Sequence, residues 1–186
     1  MEKEVTFNTL NSVHALNVHN VLQRVLSDLA EQGLYPVPSV EMHKALYTQQ
    51  RLERELSRDS TIALGAFNHG VLIGFLWANP SQGTLYLEWG AVDQQFRRRG
   101  VFLHLLRLLE EEARRRGYHK LWLYASRKNT PAINCYLMSG YAIEGVHARH
   151  FFDWDFITLG KILDASSGEM ALEKAGRQNV ISCSAN

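Results

Sequence analysis

The sequence predicts an α+β fold: a single mixed, mostly antiparallel sheet of about seven strands, flanked by about four helices. Three observations carry this prediction. Between Ser60 and Val92 the apolar pattern has period two and is broken only by short turns, as in an antiparallel meander. On either side of that block, apolar residues recur at helical spacing, over Val13–Leu29 and over Phe102–Ala113. Beyond the second of these, strand-like and helical patterns alternate as far as Leu163.

In order, Val5–Leu10 alternates and reads as a first strand. From Ser12 the pattern turns helical, with Val13, Leu16, Val21, Leu22, Val25, Leu26 and Leu29 in phase and Gly33 placed to end the helix. Each proline of Tyr35-Pro36-Val37-Pro38 biases its predecessor away from helix, so this stretch reads as a rigid extended connector. Ser39 starts a second helix, with Glu41 in its first turn, running through Leu46, Leu52 and Leu56 to the region of Ser57. Ser60–Phe67 and Val71–Asn79 are strands around the tight turn Asn68-His69-Gly70. Pro80-Ser81-Gln82-Gly83 then turns the chain into a third strand, Thr84–Val92.

A long helix over Arg99–Arg116 places Phe102, Leu105, Leu106, Leu109 and Ala113 on one face and stops at Gly117. Glu110, Glu111 and Glu112 stand four residues before Arg114, Arg115 and Arg116, and this charge run reads as a solvated helix end. His119–Ala125 is a strand, Asn129–Ser139 a helix closed by Gly140, and Tyr141–Val146 and His150–Ile162 the last strands. The order is β-α-α-β-β-β-α-β-α-β-β. After Leu163 the composition turns small and polar, so residues 164–186 are expected to be a poorly ordered tail on one domain over residues 1–163, with a helical signal at Glu169–Ala175.

Composition narrows the function. A chain of 186 residues is long enough to bury a sizeable core, and its 46% hydrophobic content is that of an ordinary globular protein. The net charge of +1 argues against a general nucleic-acid or membrane-surface role. Cys135 and Cys183 make no disulfide framework, the first ten residues lack the apolar run of a signal peptide, and no window is apolar enough to span a bilayer. A cytoplasmic protein is expected.

The chemistry concentrates between Leu85 and Gly140. A strand runs into a basic loop ended by glycine, and a helix starts at once. Such a junction favours an anion, because the free N–H groups of the first helical turn and the positive end of the helix dipole meet there. Arg97, Arg98 and Arg99 add the guanidinium donors a diphosphate needs, with no aromatic platform beside them to suggest nucleic acid.

Three features together resemble the GNAT N-acetyltransferase superfamily. Ala91-Val92, followed after a loop by Arg97-Arg98-Arg99-Gly100-Val101-Phe102, is similar to the family's Q/R-x-x-G-x-G/A pyrophosphate loop. Asn129, Ala132, Tyr136, Gly140 and Tyr141 are spaced like its N-x-x-A-x-x-x-Y-x-x-x-G-F/Y segment. The order of elements is the third. The resemblance implies the acyl-CoA N-acyltransferase fold, acetyl-CoA or another acyl-CoA as co-substrate without a metal, and direct transfer to a primary amine in a ternary complex.

It also implies roles for particular residues. Ala91 and Val92 would offer backbone N–H groups to the thioester and pantetheine, with Gly90 easing a local bulge. Arg97, Arg98, Arg99, Gly100 and Val101 would hold the diphosphate, and Asn129 would meet the pantetheine amides while capping its helix. Tyr136 would lie near the cofactor sulfur as general acid. Phe102 departs from the pattern, since Gly or Ala is usual there, and its ring must turn into the core or against the pantetheine.

Glu88, among Leu87 and Trp89, is the candidate base, an ordinary structural hydrogen bond being its other reading. By the resemblance His147, His150 and Asp153 fall on strands that line the acceptor side. Cys135 points about 100° away from Tyr136 around the helix and reads as a small core residue. The eight histidines show no metal-ligand spacing. A small-molecule amine is the expected acceptor, in a closed pocket walled by Trp77, Trp89 and Trp154. Transfer to a protein α-amine or lysine, or a non-catalytic CoA-binding role, are the alternatives. No nucleic-acid or membrane partner is expected, and a homodimer through the last strands is compatible with the sequence.

Overall fold

In the computed structural model, which describes residues 5–163, the chain begins with β1 (Val5–Thr9), followed by α1 (Ala15–Glu31), α2 (Val37–Leu46) and α3 (Gln49–Leu56). Then come β2 (Ile62–Asn68), β3 (Val71–Ser81), β4 (Thr84–Val92), α4 (Val101–Arg115), β5 (Lys120–Ser126) and α5 (Thr130–Met138). β6 (Ala142–Phe151) and β7 (Trp154–Ile162) complete it. One sheet of seven strands results, in the order β1-β2-β3-β4-β5-β7-β6, antiparallel except where β4 meets β5. The expected architecture is present, with one helix more than expected.

Strand alternation divides the core in two. On one face Leu85, Leu105, Leu106, Leu109 and Leu121 join α4 to the sheet. On the other, Val18, Leu22, Leu26 and Leu52 from α1 and α3 pack on Phe75 and Trp77 of β3. Among the described residues no helix is long and apolar enough to cross a membrane.

Four expectations need correcting. The Tyr35–Pro38 stretch is not extended throughout: Pro36 is, but α2 begins at Val37 with Pro38 in its first turn. A first-turn proline forfeits only an N–H that would have no intrahelical partner. The second helix is in fact two. Tyr47 leaves helical geometry (φ −91°, ψ 62°), and the Thr48 side chain caps α3 by accepting from the Arg51 N–H. At the far end, Phe152 and Asp153 form a tight turn with positive φ, so His150 and Phe151 belong to β6. Finally, the acidic-basic end of α4 is not simply solvated. Glu110 is buried and receives Lys161 Nζ of β7 at 2.7 Å, while Arg115 pairs with Glu112 rather than Glu111. The helical signal at Glu169–Ala175 lies outside the described residues.

Two irregularities of β4 shape the centre of the molecule. Its parallel pairing with β5 lasts only for Leu85–Leu121 and Tyr86–Trp122. Against β3, Trp89 pairs with Trp77 but Leu87 pairs with Ala78, so Glu88 is an extra, bulged residue. The bulge therefore sits at Glu88 and not at Gly90.

Thr48→Ala should lower stability by about 1 kcal/mol, the usual worth of such a cap, as read by urea denaturation. An unchanged midpoint would mean that packing of Tyr47 alone holds the break between α2 and α3.

Candidate active site

Where β4 and β5 part, a cavity of about 250 Å³ opens through the middle of the sheet. Glu88, Gly90, Leu123 and Ala125 line it from the strands, Asn129, Ala132 and Tyr136 from the α5 side, and Tyr35, His43 and Tyr47 from the α2 side. The two catalytic candidates, Glu88 and Tyr136, thus share one cavity.

Bulging places the Glu88 carboxylate where both oxygens find donors. The Tyr47 hydroxyl donates to Oε1 at 2.7 Å, and Asn79 Nδ2 donates to Oε2 at 2.6 Å. Asn79 is itself oriented by the Thr61 hydroxyl, which donates to its Oδ1 at 2.7 Å. The carboxylate is thereby fixed by groups from three separate segments. It also marks its neighbours. Burial, and then the Glu88 charge, push the Tyr47 hydroxyl well above the usual phenol range and that of Tyr86 up to about 12. Burial lowers the His43 imidazole below its ordinary value, against the opposing pull of its bond to the Ser39 carbonyl and of Glu88. His43 is therefore neutral at neutral pH.

Tyr136 lies on α5, buried, with Phe102 edge-on at 5.6 Å between ring centroids and Tyr141 at 5.4 Å. Burial pushes its hydroxyl far above the usual phenol range, so it stays protonated as a donor. Cys135 beside it is half-buried, and burial raises its thiol too, which leaves it unreactive. Asn129 caps α5 by accepting from the Ala132 N–H at 3.3 Å, and it also faces the cavity.

The loop before α4 has donors that could hold an anion. Gly100 has φ 76°, in the left-handed region, and precedes an α4 whose first turn has neither a capping side chain nor an acidic residue. Its free N–H groups lie next to Arg98, Arg99 and the end of β4. Arg97 faces elsewhere: its Nη2 meets Asp28 of α1 at 2.7 Å, and its Nε donates to the Val92 carbonyl at 2.9 Å. Arg97 is thus a brace on the loop, aided by Arg24 on Asp93. Arg99 lies over the Phe96 ring. Ala91 and Val92 are buried on opposite faces at the end of β4.

Phe102 turns inward, against β4. A Cβ placed on Gly90 would come within 2.6 Å of its ring. Gly90 is the clearance that lets a large residue occupy the position.

The expected tryptophan walls are largely elsewhere. Trp89 lines the cavity, but Trp77 is wholly buried below it, and Trp154 carries Lys128 Nζ 3.8 Å over its ring outside the lining. His147 bonds Thr158 and clusters with His150 around Tyr124, which alone of the three faces the cavity, while Asp153 pairs with Arg149. Tyr47, Asn79 and the lining residues Tyr86, Tyr124, Phe151 and Phe156 were not singled out from the sequence. Their only local signal is the Tyr47-Thr48 interruption. Among the described residues no cluster of three metal-ligating side chains occurs.

A family model described as the acetyltransferase (GNAT) family matches residues 22–141. The chain belongs to the GNAT acetyltransferase family. A curated relative, "Probable N-acetyltransferase 14" of Xenopus tropicalis, is 29% identical over 86 residues, 45% of this chain and 42% of that protein. The match therefore spans less than half of the relative's length. Among solved structures, PaiA N-acetyltransferase of Thermoplasma acidophilum in complex with coenzyme A is 18% identical, with TM-score 0.75 over 86% of this chain and 99% of that one. The ribosomal-protein-S18-alanine N-acetyltransferase of Escherichia coli is 17% identical, with TM-score 0.71 over 88% and 97%. These likenesses establish a common GNAT fold.

Gly90→Ala should cost about 1–3 kcal/mol by urea denaturation, because the new methyl group meets the Phe102 ring. In the Gly90→Ala, Phe102→Ala double variant the costs should fall short of additive by at least about 0.5 kcal/mol. Strict additivity would place the ring away from Gly90.

Proposed function

We propose that this chain is an acyl-CoA-dependent N-acetyltransferase that acetylates a primary amine of a small molecule by direct transfer in a ternary complex. The observation that carries this reading is the parting of β4 and β5, which opens onto Glu88 and Tyr136 and leads to the uncapped start of α4. Backbone groups of β4 beyond Tyr86 have no strand partner on the β5 side. Buried amides are nearly always paired, so an extended ligand with amides of its own suits this edge. The pantetheine arm of coenzyme A is such a ligand, and the diphosphate that follows it fits the N–H groups of Val101 and its neighbours with Arg98 and Arg99 close by. Asn129 faces the same channel. A bound acetyl thioester supplies an activated carbonyl.

The residues then divide the proton work. An amine reaches the cavity as an ammonium ion and must lose a proton to attack. Glu88, fixed by Tyr47 and Asn79, takes it directly or through a water. As the C–N bond forms and the C–S bond breaks, the departing sulfur gains a proton. Tyr136 is the buried phenol positioned to give it; the nitrogen sheds its second proton to solvent as the tetrahedral intermediate collapses to the amide, and solvent restores the Tyr136 proton. Desolvation weakens phenol and thiol alike as acids, so a raised Tyr136 need not spoil the match.

Acetyl-CoA at a hundred times its dissociation constant should stabilise the native chain by about 2.7 kcal/mol. Thermal unfolding should shift accordingly by about 5–10 °C, and no shift at millimolar concentration would rule the cofactor site out. Tyr136→Phe should lower kcat by about 10²-fold or more with cofactor affinity unchanged; full turnover would make Tyr136 structural. Glu88→Gln should lose most activity near pH 7 and recover toward pH 10, since an alkylamine with a pKa of about 10.4 then arrives increasingly neutral. A pH-independent loss would remove Glu88 as base. Stabilisation by acetyl-CoA with no thiol release from any amine would favour a non-catalytic binding role.

A further inference from the structure

The acceptor half of the cavity has an unusual lining. Tyr35, Tyr86, Tyr124, Phe151 and Phe156 form a continuous aromatic wall, with ring centroids 4.9–6.4 Å apart along it. Opposite stand Met42, His43, Tyr47 and Trp89. No lysine or arginine lines the cavity among the described residues, and Glu88 is its one carboxylate. Two cations contact rings away from the lining's interior: Arg51 lies over the Tyr47 ring and Lys128 over Trp154.

The mouth is apolar as well. Met42, Phe151 and Phe152 are 43%, 39% and 44% exposed, all three on the cavity lining. Phe152 sits at the β6–β7 turn with φ 51°, a conformation that bulky residues rarely adopt. A turn that holds two phenylalanines at the mouth of a cavity leaves apolar surface that a ligand can cover.

Resting on the transfer reading above, we infer that the acceptor is a small primary amine on an aromatic body, without an anionic group. The ammonium group meets Glu88, the one opposite charge, among ring faces that themselves favour a cation. The body packs on the Tyr124–Phe151–Phe156 wall. A carboxylate or phosphate on the acceptor finds no cation there and faces Glu88, so it is rejected by an unpaired buried charge. Size agrees. At about 250 Å³ the cavity lies below the ~300–1,000 Å³ of sites for drug-sized ligands, and the thioester end occupies part of it.

The test compares acceptors by free-thiol release from acetyl-CoA. Phenethylamine should exceed phenylalanine, the same body with a carboxylate, at least 100-fold in kcat/KM, and exceed spermidine at least tenfold. Phe151→Ala, at an exposed position, should raise the KM for phenethylamine about tenfold and leave acetyl-CoA binding, followed by thermal shift, unchanged. Equal or better turnover of phenylalanine, spermidine or an N-terminal peptide would overturn the inference while leaving acetyl transfer intact. Absence of thiol release with every amine, despite stabilisation by acetyl-CoA, would overturn the transfer reading and the inference with it. Loss of both would remove the cofactor site as well.

Discussion

The structure turns on a pairing that stops. β4 and β5 run parallel for two residue pairs and then diverge, which leaves backbone donors and acceptors of a central strand without partners on one side. Such groups are costly to bury, and a sheet tolerates the gap only where water or a ligand can reach it. The candidate site residues are arranged around that gap. The bulge on the other side of β4 redirects Glu88, the strand's end delivers the chain to the start of α4, and α5 brings Tyr136 to the opposite wall. A fully paired β4 would give a more regular sheet and no site.

Holding the gap open requires braces, and these explain residues that would otherwise look decorative. Arg97 spans from the loop to Asp28 of α1 and also ties back to the Val92 carbonyl. The loop before α4 is thus anchored by an arginine whose bonds lead away from the free N–H groups of that helix. Lys161 plays the equivalent part beneath α5, bonding Glu110 of α4 and the Ser139 carbonyl. Both cations are half-buried: Arg97 ties the loop to α1, and Lys161 ties α4 to the end of α5. Breaking such a pair leaves an uncompensated charge, so each brace resists loss strongly even if its net contribution to stability is small.

Much of this was legible in the sequence, for physical reasons that also mark the limit. The period-two block, α1 and α4 are long and strongly patterned, so local preference and burial agree on them. Gly100, Asn129 and Tyr136 were picked out by motif resemblance, and the structure places Gly100 just before α4 and the other two on the cavity lining. Tyr47 was not, because its departure from helix becomes useful only when Glu88, 41 residues away, accepts its hydroxyl. The bulge at Glu88 depends on the register against β3, which a single strand cannot reveal. Arg97 shows the reverse error. Its position in the loop was read correctly, but its partner Asp28 lies 69 residues earlier.

Phe102 and Gly90 illustrate how a departure from a family pattern can be absorbed. A small residue at the start of α4 would let the helix approach β4 closely. A phenylalanine there could be expected to hold the two apart and spoil the anion site. Instead the missing Cβ at Gly90 receives the ring, whose edge then meets Tyr136. The steric demand is passed twelve residues back along the chain, into the strand that lines the cavity. It follows that the position of the Tyr136 hydroxyl depends in part on a residue that touches no reacting atom. Exchange at Phe102 alone should therefore displace Tyr136 more than the loop before α4, whose free donors are backbone N–H groups and survive changes of side chain.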